Sequence, residues 1–142
     1  MIFFLLQERP LKNLINVNLS YCEFITKLPK LWAPNLKWLV LAGCENLVKL
    51  TELEAPNLRY LNLTNCINLV KLTELEVPNL GYLCLSNCKN LVEIDECFGS
   101  LEKLTEWDLD GCSKHQILPS QLRLKSLYFF LSFRLLKAWE AP

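Results

Sequence analysis

The chain has 142 residues, and its fifteen Lys and Arg balance fifteen Asp and Glu. That length suits a single domain, and the zero net charge argues against a strongly basic nucleic-acid module. With 51% hydrophobic and 21% charged residues the chain is not a disordered tail, and no apolar run reaches the roughly 18 residues of a membrane-spanning helix.

The first feature along the chain is the apolar run Ile2-Phe3-Phe4-Leu5-Leu6. No basic residue precedes it and Gln7-Glu8-Arg9-Pro10 interrupts it, so it falls short of a secretory signal peptide. Residues 1–10 read as a degenerate N-terminal segment. A period then begins. Cys22, Cys44, Cys66 and Cys88 are each 22 residues apart, and Cys112 follows after 24. No CxxC pair accompanies them, so the paired-ligand spacing of a zinc site is missing. The same ruler governs Pro34-Asn35-Leu36, Pro56-Asn57-Leu58 and Pro78-Asn79-Leu80, and the segment Asn46–Glu54 recurs unchanged as Asn68–Glu76. Each unit carries LxxLxLxxC, as in Leu36-Leu39-Leu41-Cys44, Leu58-Leu61-Leu63-Cys66 and Leu80-Leu83-Leu85-Cys88. Looser copies are Leu14-Val17-Leu19-Cys22 and Leu104-Trp107-Leu109-Cys112, and a degraded sixth unit starts at Leu127 with Phe130 and Ser132. This is the leucine-rich repeat pattern, and it accounts for leucine at 33 positions. The repeats are assigned to residues 11–123, and residues 124–142 to a degraded last repeat with an apolar tail.

The LxL core alternates with period two and predicts a short strand with its leucines on one face. No unit can bury its own leucines, so units must stack and share a core. The expected fold is an α/β-type solenoid of about five to six repeats of about 22 residues. A curved parallel sheet is expected on its concave side, with extended or 3-10 segments such as NLVKLTELE on its convex side. Leu36, Leu39, Leu41, Cys44, Leu47, Leu50 and their equivalents should line the interior. The cysteines fit there as small buried hydrophobes. Disulfides between stacked units are the competing reading, which a reducing compartment disfavours. Cys84 breaks the ladder, is expected to point outward, and is the best candidate for a reactive thiol.

The outward positions of the strands form columns down the stack. One runs Asn16, Trp38, Tyr60, Tyr82, Glu106, a second Asn18, Val40, Asn62, Cys84, Asp108, and a third Ser20, Ala42, Thr64, Ser86, Asp110. Exposed aromatics of this kind are typical anchors for a partner, or else they stack on one another and stiffen the sheet. Lys37 and Arg59 lie beside them, whereas Glu106, Asp108 and Asp110 make the fifth strand acidic. The candidate partner-binding residues are therefore Trp38, Tyr60, Tyr82, Lys37, Arg59, Asn62, Glu106 and Asp108. On the convex side Lys49 should stack near Lys71, and Glu52 and Glu74 toward Glu96. Glu52, Glu54, Glu74 and Glu76 lack the spacing of a calcium loop, so no metal is expected. His115 is the only histidine, and none of the common nucleophile, zinc or phosphate-loop motifs occurs. The expectation is a binding protein without cofactor, not an enzyme.

The stretch LKNLINVNLSYCEFITKLPKLWAPNLKWLVLAGCENLVKL resembles the leucine-rich repeats of plant intracellular immune receptors of the TIR-NB-LRR class. So does FGSLEKLTEWDLDGCSKHQILPSQLRLKSL, and the likeness spans about residues 10–132. The resemblance implies pathogen recognition and defence signalling in the cytoplasm or the nucleus. The partner would be a protein: a pathogen effector, a guarded host protein, or the receptor's own nucleotide-binding domain. Neither nucleic acid nor membrane is implied. The family's TIR and nucleotide-binding domains have no counterpart here, so the chain reads as a fragment or a truncated product. One alternative is an autoinhibitory scaffold packed on a nucleotide-binding domain. Another is a piece of an extracellular leucine-rich repeat receptor, which would use the sequons Asn18-Leu19-Ser20 and Asn62-Leu63-Thr64. Both sequons fall in predicted strands.

Overall fold

The computed structural model describes residues 10–112 and the backbone of a further strand, Phe129–Leu131. The N-terminal segment up to residue 9, His115, and the sixth unit and apolar tail apart from that strand lie outside the described residues. The chain forms a parallel solenoid of two facing sheets. Strands β1 (Asn16–Asn18), β3 (Trp38–Val40), β5 (Tyr60–Asn62), β7 (Tyr82–Cys84), β9 (Glu106–Asp108) and β10 (Phe129–Leu131) form a six-stranded sheet in that order. Strands β2 (Leu31–Trp32), β4 (Lys49–Glu54), β6 (Lys71–Glu76) and β8 (Glu93–Ile94) form the second, four-stranded sheet. All pairings are parallel and in register with the repeat: Leu39 lies opposite Leu61, and Leu61 opposite Leu83.

The return segments are extended or 3-10 as expected, with a single 3-10 helix, Glu96–Ser100, and no α-helix among the described residues. One expectation needs correction. Five to six repeats were expected, yet only four strands stand in the second sheet, so about four turns are complete among the described residues. The return segments are also more regular than expected, since identical KLTELE stretches pair edge to edge as β4 and β6.

The core fills the space between the sheets. Leu36, Leu39, Leu41, Cys44, Leu47 and Leu50 are all buried, as are their equivalents one and two units on. Two turns close each unit. Ala33-Pro34-Asn35-Leu36 and its copies place proline second in a turn, where its fixed φ is favourable, with Leu36, Leu58 and Leu80 N–H donating back across it at 3.3, 3.1 and 3.1 Å. The turn before each cysteine puts its third residue at positive φ: Tyr21, Gly43, Asn65, Asn87 and Gly111. Glycine and asparagine tolerate that conformation, which accounts for the residue before Cys44, Cys66, Cys88 and Cys112 but not for Tyr21 before Cys22.

Each thiol then bridges units. Cys44, Cys66, Cys88 and Cys112 donate to the carbonyls of Leu19, Leu41, Leu63 and Leu85, each at 3.1 Å. All seven cysteines are free, so the stacked units are joined by thiol hydrogen bonds and not by disulfides. Burial pushes Cys66 and Cys112 up to about 12 and raises Cys88 further still. Two asparagine ladders run alongside. Asn35, Asn57 and Asn79 donate to Lys12, Pro34 and Pro56 carbonyls, and Asn46, Asn68 and Asn90 to those of Glu23, Glu45 and Ile67.

The second sheet contains a strained position. Residues three apart on a regular strand face opposite ways, yet Leu50 and Leu53 are both buried. Glu52 resolves the conflict by adopting φ 57°, and Glu74 repeats it at 56°. The ladder pairs Thr51 with Thr73 and Leu53 with Leu75, so Glu52 and Glu74 occupy the same position in successive units. A left-handed non-glycine residue costs about 1–2 kcal/mol. Glu52→Gly is therefore expected to raise the unfolding free energy by about 1 kcal/mol after the added chain entropy is offset. Urea unfolding would measure the gain, and a lowered midpoint would argue against strain at this residue.

The fifth unit departs from the repeat. Its two extra residues enter as the 3-10 helix, capped by Asp95, whose carboxylate accepts from Cys97 N at 2.9 Å and Leu75 N at 3.3 Å. Burial opposes ionisation of Asp95, but these N–H donors outweigh it and hold its pKa below the ordinary value. Phe98 and Trp107 fill the enlarged interior with ring centroids 6.4 Å apart. Among the described residues, no helix is long and apolar enough to cross a membrane.

Candidate partner-binding face

The outward columns of the six-stranded sheet are those read from the sequence. Asn16, Trp38, Tyr60, Tyr82 and Glu106 stand opposite one another in turn, as do Asn18, Val40, Asn62, Cys84 and Asp108. Neighbouring strands lie about 4.8 Å apart, which is also a stacking distance for flat rings. Repetition at the aromatic position therefore produces a ring stack. Trp38 and Tyr60 have centroids 4.4 Å apart at 26°, and Tyr60 and Tyr82 4.6 Å apart at 14°. Trp38 keeps 49% of its surface exposed, and both tyrosines are half-buried. The rings therefore stack on one another across three strands, with Trp38 the most exposed of them.

Polar side chains fix the stack from the neighbouring columns. Asn62 Nδ2 donates to the Tyr60 hydroxyl at 3.1 Å, while Asn62 Oδ1 accepts from Thr64 N and Oγ1 at 2.9 and 2.6 Å. Asn18 accepts in the same way from Ser20 N and Oγ, at 3.0 and 2.6 Å. Both sequon asparagines are therefore committed to turns within the fold. The Tyr82 hydroxyl is pushed up to about 12, first by burial and then by Cys84, Tyr60 and Glu106.

Cys84 corrects an expectation. It occupies the outward column, yet it is only 5% exposed. Its sulfur lies 2.9 Å from Thr64 Oγ1 and 3.8 Å from Asp108 Oδ2. Thr64 and Asp108 of the adjacent units pack against this short side chain, so an outward direction does not make the thiol accessible.

The charged candidates divide between two places. Lys37 and Arg59 are exposed in the column just ahead of the aromatic one, at the entry to β3 and β5. Glu106 and Asp108 lie on β9, Glu106 exposed and Asp108 half-buried. The ion pair given by the described residues is Lys71–Glu93 at 3.4 Å, on the other sheet. The outer face thus carries an aromatic stripe with Lys37 and Arg59 beside its aromatic rungs and the carboxylates Glu106 and Asp108 on β9. Among the described residues no three His, Cys, Asp or Glu side chains converge as a metal-binding group.

Sequence reasoning passed over two features. Asn35, Asn57 and Asn79 recur at the 22-residue spacing, so their ladder was available to inspection. The other, a gap in the column of Lys37 and Arg59 at Gly81, had only the glycine itself as a signal. Compared with protein families, curated proteins and solved structures, the chain finds no match.

Proposed function

We propose that the chain is a protein-binding repeat module, without catalytic activity of its own, that meets its partner through the outer face of the six-stranded sheet. The observation that supports this most is the Trp38–Tyr60–Tyr82 stack, in which Trp38 keeps 49% of its surface exposed and both tyrosines are half-buried. Aromatic anchors already held in one geometry lose little entropy on binding. The cations beside the aromatic rungs and the carboxylates on β9 would orient the partner by charge complementarity.

The finer reading is a piece of a plant intracellular immune receptor, supported by the resemblance of its GC-x-NLVKL and LDGCS wording. On that reading the partner is a pathogen effector or a guarded host protein, and the setting is the cytoplasm or nucleus. The test replaces Trp38, Tyr60 and Tyr82 together by alanine in the receptor and follows effector co-precipitation and defence output. Loss of capture with a cooperative unfolding transition retained is the expected result, and wild-type capture would end the proposal. The triple variant should unfold more easily, since each ring pair contributes about 0.5–1.5 kcal/mol. A second reading, packing against the receptor's nucleotide-binding domain, is favoured by the segregated charges of Lys37/Arg59 and Glu106/Asp108. It predicts constitutive signalling on charge reversal there.

A further inference from the structure

Gly81 stands in the column Ile15, Lys37, Arg59, Gly81, Thr105, one residue ahead of the aromatic stripe. Neither usual reason for glycine applies to it. It is not among the positive-φ glycines, and a Cβ would meet only the carbonyl oxygens of Arg59 and Lys103 at 3.6 Å, an ordinary contact. What the missing side chain does is leave a notch of about 340 Å³ lined by Asn57, Arg59, Asn79, Gly81 and Lys103.

The chemistry of that lining has one sign. Arg59 and Lys103 are both exposed, neither takes part in the ion pair seen among the described residues, and no carboxylate is among the lining residues. Lys37 stands one rung beyond Arg59. Asn57 and Asn79 each commit an amide N–H to a proline carbonyl at 2.6 Å, and an amide nitrogen carries a second N–H. Two cations facing a shared gap repel, and a negative ion placed between them reverses the sign of that interaction. A guanidinium matches oxyanion geometry through paired N–H donors, and an ammonium adds a point charge.

We propose that the Gly81 notch binds a phosphate-class oxyanion, with Arg59 and Lys103 as its cationic walls. The site is independent of whether the aromatic stripe binds a protein. Its test is a titration of the full isotope-labelled chain with inorganic phosphate, at an ionic strength held constant with chloride. Saturable shifts should appear at the Gly81 and Thr105 amides, the Arg59 side chain and the Asn57 and Asn79 side-chain amides. Gly81→Val fills the notch and should abolish them while the rest of the spectrum stays native. Arg59→Gln and Lys103→Gln, at exposed positions, should each weaken binding about tenfold. Phosphoserine binding more tightly than inorganic phosphate would assign the anion to a modified side chain, and equal or weaker binding to a free ion. No saturable shift in the wild type would overturn the site. So would shifts shared equally with Lys49 on the other sheet and unaffected by Gly81→Val.

Discussion

Leu61→Ala is expected to lower the unfolding free energy by about 2–5 kcal/mol, as lost burial plus a residual cavity. Leu61 is fully buried in β5 and lies between Leu39 and Leu83 in the ladder. Its neighbours cannot collapse into the space, because their positions are set by strand pairing on both sides. In a stacked-repeat protein each unit is stabilised chiefly by the interfaces with its neighbours. A defect in a middle unit weakens two such interfaces, so the transition should broaden as well as shift. Urea unfolding followed by tryptophan fluorescence would register both, with Trp38 and Trp107 reporting from either side of the defect. An unchanged midpoint would remove Leu61 from the load of the core.

The second large effect is alkaline destabilisation. Cys66 and Cys112 are pushed from an ordinary 9.0 up to about 12, and Cys88 is raised beyond them. Desolvation is the leading cause, and neighbouring thiols add to it for Cys66 and Cys88. The folded state therefore holds protons that the unfolded chain releases. Stability is fully present below the unfolded pKa and falls as pH rises from about 9 toward about 12. Each separated pKa unit corresponds to about 1.4 kcal/mol per thiol, so three thiols together should lose several kcal/mol between pH 9 and 11. Urea midpoints across that range would show the slope. Cys66→Ala combined with Cys88→Ala should flatten it although starting from a less stable protein. A slope unchanged by that pair would mean that other groups carry the alkaline transition.

The fold was legible because the repeat is a ruler. A spacing of 22 residues between cysteines assigns every LxL leucine to the same depth and every intervening residue to a column. Tyr60 above Tyr82 followed from counting. Other features were not countable. Leu50 and Leu53 could not both face inward on a regular strand, and nothing in KLTELE announced that a glutamate would take the left-handed conformation. The two extra residues before Cys112 marked a departure, but not that a 3-10 helix carrying Phe98 would absorb it. Of the candidate face, the membership of each column was readable and the accessibility of its members was not. Cys84 and Trp38 both point outward, yet one is 5% and the other 49% exposed.

The linear order of residues settled which side chains share a rung and which way they face, because translation along a parallel stack converts sequence separation directly into spatial neighbourhood. Packing alone settled how far each outward group reaches solvent, since exposure depends on the heights of neighbours one and two rungs away. The same holds for the gap at Gly81. A missing side chain becomes a notch only when Arg59 and Lys103 stand on either side of it.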